Sequence, residues 1–174
     1  MDRSAGASRR AVIRALTAAE QALAKAVFGE ALDPRPVRLL AAPWPVRRAF
    51  VAGRWFGRDW IVWPRAGLPD EFTAGPLGLQ AVLVHELVHV WQAQQGVNLL
   101  LAKLRAGDRR ESYVYPVDDR CDWPTLNIEQ QAMAVEHAFR LAGGEPAPAS
   151  GAFYRSVLPF AHCRAFASLA AQEA

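Results

Sequence analysis

The sequence predicts one α+β domain built on a small, mostly antiparallel sheet. Three features carry that prediction: capped amphipathic helices near both ends, short β-prone runs between Pro34 and Pro64, and a proline-free apolar stretch from Leu77 to Gln95. At 174 residues the chain is long enough to bury a real core and short for two independent ones, so residues 1–174 are read as a single domain.

The elements follow in chain order. Residues 1–16 precede the first helix signal and leave room for a flexible arm. Thr17 with Glu20 three residues later is a capping box, and Leu23, Ala26 and Val27 before Gly29 make a short amphipathic helix over 17–28. Val37 to Ala41, Ala49 to Ala52 and Asp59 to Trp63 are β-prone runs punctuated by Pro and Gly. Trp44, Trp55, Trp60 and Trp63 fall in this region and are read as sheet-face packing, with a binding wall as the other use. In LGLQAVLVHELVHVWQAQQ the apolar positions nearly encircle a helix, the pattern of one buried in mid-domain, and Gly96 ends it. A Leu-rich piece then reaches Arg105, and Ser112 to Val117 alternates like a strand that Pro116 would confine to an edge. Asn127 caps a helix through Ile128, Ala132, Val135 and Phe139 to the Gly143/Gly144 stop. Residues 144–151 read as a linker to a last helix over 152–171, bent or broken near Pro159.

Composition narrows the function classes. Apolar residues make up 52% and charged residues 21%, which speaks against disorder or a fibrous repeat. The net charge of +3 arises from 20 basic and 17 acidic residues, and the arginine pairs Arg9/Arg10, Arg47/Arg48 and Arg109/Arg110 are dispersed instead of forming one basic stripe. No nucleic-acid partner is therefore expected. Cys121 and Cys163 are too few for a disulfide framework and are read as reduced thiols. Arg14, Glu20 and Lys25 interrupt every apolar run of the N-terminus before it can serve as a signal-peptide core, and no uncharged stretch approaches the ~18 residues of a membrane span. The expected location is the cytoplasm, with export without a cleaved signal as the other route, and no membrane partner.

The chemistry concentrates in His85-Glu86-Leu87-Val88-His89. Residues four apart share a helix face, so the two imidazoles can converge on one ion while Glu86 points beside it. A zinc ion with three protein ligands keeps a position for water and lowers its pKa towards neutrality, and a neighbouring carboxylate can take the proton. Two histidines and a glutamate in the middle of an apolar helix are costly to bury without such compensation. A third ligand must come from elsewhere. Glu129, in the first turn of the next helix, is one candidate, although an acidic residue there also complements the helix dipole; Glu136, His137, Asp118, Asp119 and Cys121 are others. No histidine follows at the spacing of the extended HExxHxxGxxH pattern. Tyr113, Tyr115, Tyr154, His137 and His162 are possible donors to a developing oxyanion.

On the HELVHVWQ segment and the downstream EQQA, the chain resembles the minimal gluzincins, small metallopeptidase-like proteins whose HExxH helix is followed by a glutamate-bearing helix. In particular it looks like short bacterial proteins described as Vgr-related or Rhs-linked, found near contractile-injection and type VI secretion genes, which share both segments. The similarity extends to TAAEQALAKAVFG, Thr17 to Gly29, and covers most of residues 17 to 140 but not the C-terminal segment. The resemblance implies one zinc ion on His85, His89 and Glu129, with Glu86 catalytic. It also implies a zincin-like fold with an N-terminal helix, a small sheet, the HExxH helix, the glutamate helix and a C-terminal helix. Ala132 and Met133 follow Glu129 where the signature often places an Asp or similar partner, so the groups that would orient His85 and His89 are not assigned.

The function expected is a zinc metallopeptidase acting on a peptide or protein, with Glu86 as general base, linked to a contractile-injection or type VI secretion component. An open groove beside a sheet edge is expected, with Asp59 to Trp63 as that edge because Pro64 follows it. The alternative is a non-catalytic zincin-like binding or effector module. Retention of a carboxylate at Glu86 favours the enzyme, and delivery as a toxin would use the same chemistry on another target.

Overall fold

A computed structural model of the chain describes residues 13–107 and 109–173, with side chains through residue 169. Thr17 is a helix cap: its hydroxyl accepts from the Glu20 amide at 3.1 Å while the Glu20 carboxylate accepts from the Thr17 amide at 2.9 Å, and α1 runs Ala18–Phe28. The same carboxylate, fully buried, also accepts from Arg14 at 2.7 and 2.8 Å and from the Phe72 amide at 3.0 Å. Arg14 sits in β1 (Ile13–Ala15), so the last part of the arm expected to be flexible is instead a strand, held by that ion pair and by antiparallel pairing with Arg38, Leu39 and Leu40. Residues 1–12 of that arm lie outside the described residues.

The sheet adds β2 (Val37–Ala42), β3 (Phe50–Trp55) and β4 (Arg58–Pro64) in the order β1-β2-β4-β3. The outer pairings are antiparallel and the inner one, β2 with β4, is parallel. Alternation places Val37, Leu39 and Ala41 of β2 in the core. The expectation that Asp59 to Trp63 forms the exposed edge is overturned: β4 lies inside the sheet and β3 is the edge. The physical reason is that Ile61, Val62 and Trp63 are all buried in succession, the burial of a strand covered on both faces, whereas β3 is half exposed along its length. The four tryptophans divide. Trp63 packs edge-on against Phe72 in the core, Trp60 is half-buried, and Trp44 and Trp55 are exposed, so packing explains only part of the set.

α2 (Leu77–Gln94) crosses the middle of the molecule with Ala81, Leu83, Val84, Leu87, Val88 and Val90 fully buried. It packs on the sheet and on α4 (Ile128–Ala142), which turns towards it the face carrying Glu129, the small buried Ala132 and Glu136. α3 (Leu99–Ala106) buries no residue. The strand expected over Ser112 to Val117 does not form. Arg110–Tyr113 is a single 3₁₀ turn, and the Ser112 and Val114 carbonyls accept from the Asn127 and Gln130 side chains of α4 at 3.1 and 2.6 Å. With Pro116 lacking an N–H, these bonds win over a ladder.

The expected last helix is broken where Pro159 predicts: α5 spans Gly151–Val157 and a 3₁₀ segment spans Arg164–Glu173. These two pieces approach so closely that a Cβ at Gly151 would stand 2.6 Å from the Leu169 carbonyl oxygen. The result is a mixed α+β fold with a small sheet and several helices.

Candidate metal centre

Two helices deliver the site. His85 and His89 lie one turn apart on α2, and Glu129 stands in the first turn of α4. That turn is rigidly set: the Asn127 side chain accepts from the Glu129 and Gln130 amides, both at 2.9 Å, and Gln130 returns a bond to the Asn127 amide at 3.0 Å. Gln92 couples the helices, donating to the Ile128 carbonyl at 3.1 Å and to Gln131 at 2.9 Å.

The ligand atoms converge. Glu129 Oε2 lies 3.5 Å from His85 Nε2 and 3.4 Å from His89 Nε2, and the three donor atoms fall within 4.8 Å of one another. Tetrahedral bonds of about 2.0–2.2 Å put neighbouring ligand atoms about 3.3–3.5 Å apart, so the two separations from Glu129 Oε2 suit a zinc-sized ion. Among the described residues these three form the one such gathering of metal-type donors.

The outward ring nitrogens are also engaged. His85 Nδ1 lies 3.1 Å from Glu136 Oε2, and Glu136 Oε1 accepts from Arg140 at 3.0 and 2.9 Å. His89 Nδ1 lies 2.8 Å from Gln92 Oε1. With these Nδ1 atoms as donors, both Nε2 lone pairs face Glu129, the tautomer that metal ligation requires. Lys103, from α3, donates to the other Glu129 oxygen at 2.7 Å and leaves Oε2 to face the imidazoles.

Such converging lone pairs repel unless a cation or proton lies between them. Burial works against charge on His85, but its bonds to Glu129 and Glu136 outweigh it and push its pKa up to about 9. Burial likewise raises the Glu129 carboxyl, yet the His85 and His89 contacts outweigh it and hold it well below the usual carboxylate range. Glu86 differs. Burial pushes its carboxyl up, and its Oε2 has no hydrogen-bond partner. A buried carboxylate oxygen left bare beside two histidines is the orphan that a metal-activated water would satisfy.

The site opens into a groove of about 1580 Å³ running between β3 with its preceding loop and α3, with His85, Glu86, His89 and Glu129 on its wall. Of the residues named above as oxyanion donors, Tyr113 lines this groove. Tyr115 instead contacts His137 Nδ1 at 2.8 Å and the Tyr154 hydroxyl at 3.0 Å in a separate buried network, and His162 is exposed. Of the alternative ligands, Glu136 supports His85 instead of joining the triad, Asp118 pairs with exposed Arg120, and His137, Asp119 and Cys121 stand outside the cluster. The roles of Gln92, Glu136 and Lys103 were missed from sequence. For the first two a signal existed, since Gln92 follows His89 by three residues and Glu136 follows Glu129 by seven, both helical neighbours on one face.

No family model matches the chain. It is 32% identical over 139 residues to the type VI secretion system spike protein VgrG2b of Pseudomonas aeruginosa, a match covering 72% of this chain and 13% of that protein. The chain thus spans a small fraction of the spike protein's length. The solved effector domain of Pseudomonas aeruginosa VgrG2b is similar in fold, with a TM-score of 0.61 at 31% identity over 82% of this chain and 80% of that one. An α+β architecture shared over four-fifths of both chains at that identity means that this chain belongs to the family of the VgrG2b effector domain.

Proposed function

We propose that the chain is a type VI secretion-associated effector module whose groove is a zinc-dependent peptide-hydrolysing site of the gluzincin kind, on a zincin-like fold. Membership of the VgrG2b effector-domain family supports the secretion-system part. The convergence of His85 Nε2, His89 Nε2 and Glu129 Oε2, with both Nδ1 atoms turned outward onto partners, carries the chemical part.

His85, His89 and Glu129 would hold the zinc ion, which would supply a lowered water pKa and a Lewis acid for a peptide carbonyl. The chain's own residues do the rest. Glu86 takes the proton of the attacking water on its bare Oε2, and burial, by raising its proton affinity, lets it hold that proton and return it to the leaving amine nitrogen. Strand β3 ends the sheet and lines the groove, so an extended peptide can add to its open side; the Ala52 and Trp55 carbonyls already accept from the Trp55 and Trp60 indoles. Of the candidate donors to the carbonyl oxygen, Tyr113 is the one that lines the groove.

A second reading, a binding or effector module without turnover, is supported by the similarity to a spike protein and to its effector domain. Elemental analysis of wild type, His89→Ala and Glu129→Ala, with a peptidase assay of wild type and Glu86→Gln, separates the two. About one zinc per chain, lost in both ligand variants, with turnover lost in Glu86→Gln while zinc stays bound, is the expected result. Zinc without turnover favours the non-catalytic module, and no metal in protein prepared without chelators refutes the centre.

A further inference from the structure

The groove has two unlike walls. Edge strand β3 and the loop before it contribute Arg47, Arg48 and Arg54, whereas the turn into α3 and α3 itself contribute Val97, Leu100 and Leu104. Leu100 and Leu104 are 74% and 72% exposed on a helix that buries nothing, an apolar display that core packing does not explain. Among the described residues lining the groove, the carboxylates are Glu86, Glu129 and Glu136, each buried in or beside the His85–His89–Glu129 cluster. The one acidic residue between positions 43 and 64, Asp59, is fully buried, accepts from Gln94 at 2.8 Å and lies 3.9 Å from Arg54 Nε, whose guanidinium stays half exposed towards the groove. The strand wall thus presents Arg47, Arg48 and Arg54 beside the exposed rings of Phe50 and Trp55, and the helix wall presents exposed leucines around Lys103, whose amine is engaged by Glu129.

We propose that the groove selects an extended polypeptide segment in which carboxylates accompany large apolar side chains, the carboxylates towards Arg47 and Arg54 and the apolar groups against Leu100 and Leu104. This deepens the peptidase reading and rests on it for turnover, though not for binding. Alternate side chains of a peptide added to β3 point to opposite sides, so one segment can address both walls. Burial of the apolar groups supplies affinity, and the arginines supply orientation and rejection of basic segments, helped by the net charge of +3.

The test uses the full zinc-loaded chain on a peptide library read by mass spectrometry, and the Glu86→Gln chain in binding titrations with matched acidic-apolar, neutral-apolar and basic-apolar peptides. Wild type is expected to cleave segments enriched in Asp or Glu and in Leu or Phe, and Glu86→Gln to bind the acidic-apolar peptide roughly tenfold more tightly than the basic one. That ratio should shrink as salt is raised. The double variant Arg47→Glu/Arg54→Glu should abolish or reverse the charge preference, and Leu100→Ser/Leu104→Ser should weaken binding of all three peptides while leaving the charge ratio intact. Both pairs are exposed, and zinc content checks that each variant folds. Acidic-apolar binding without cleavage sinks the hydrolytic reading and upholds the groove's selectivity. Cleavage or binding indifferent to charge, a preference untouched by the arginine substitutions, or no peptide bound at all overturns the inference.

Discussion

Removing the carboxylate behind His85 tests the proposed centre more sharply than removing a proposed ligand, because His85 Nε2, His89 Nε2 and Glu129 Oε2 all stay in place. Glu136 accepts from His85 Nδ1 at 3.1 Å and is itself held by Arg140, so it sets both the tautomer and the ring orientation. A hydrogen bond to a charged group contributes about 1.5–3 kcal/mol when buried, and Glu136 is only 8% exposed. Glu136→Ala should therefore weaken zinc binding by about 10–100-fold, the range for lost partners of ligating histidines. Glu136→Gln keeps an oxygen that can accept from Nδ1 but loses the charge, and charge-assisted bonds are about twice as strong as neutral ones, so the expected loss is smaller, about 3–10-fold. The assay is competition against a chromophoric chelator, with thermal unfolding of the metal-free proteins as a check on folding. Equal affinity in wild type and Glu136→Ala refutes the reasoning. So does a loss as complete as that of His85→Ala in a folded Glu136→Ala protein, since Glu136 would then be acting as a ligand.

Other predictions address the supports of the site. Asn127→Ala removes the cap that fixes the turn bearing Glu129 and should cost about 1 kcal/mol in unfolding free energy together with a measurable loss of zinc affinity. Unfolding with unchanged chelator competition would separate the turn from the metal. Zinc must displace the proton held by His85, whose folded pKa of about 9 lies above its ordinary 6.5, so affinity should rise with pH until about 9. By the same linkage, the stability that protonated His85 gives the metal-free fold is fully present below about 6.5 and lost as pH rises through about 9. Denaturant titrations of metal-free protein across that window check the sign. Phe56 holds a positive φ of 52° at the tip of the β3–β4 hairpin with its ring 98% exposed, so Phe56→Asn should stabilise the fold by about 0.5–1 kcal/mol.

Local signals written in adjacent residues were read correctly from the chain. The Thr17/Glu20 capping box, the Asn127 cap, the encircling apolar pattern of α2, the break near Pro159 and the four-residue spacing of His85 and His89 all act within a turn or two, where side chains and backbone meet without help from the rest of the molecule. Glu129 could be nominated from its place near a helix start, but its distance to the histidines depends on how α2 and α4 pack, and no local pattern encodes that.

What the sequence leaves open lies at longer range. The proline after Asp59 to Trp63 suggests an edge, yet strand order is decided by which strand is buried on both faces, a property of the assembled layers. The strand expected over Ser112 to Val117 lost to side chains from α4, distant in sequence, that occupy its carbonyls. Likewise Lys103 reaches Glu129 across the groove from an element whose placement only packing determines. The sequence by itself therefore determined the helices, their caps, the β-prone segments and the histidine pair, since each is the outcome of neighbouring residues. The tertiary structure alone decided the edge strand, the convergence of Glu129 on the histidines and the groove's arginine-bearing and leucine-bearing walls, since each depends on surfaces brought together from separate parts of the chain.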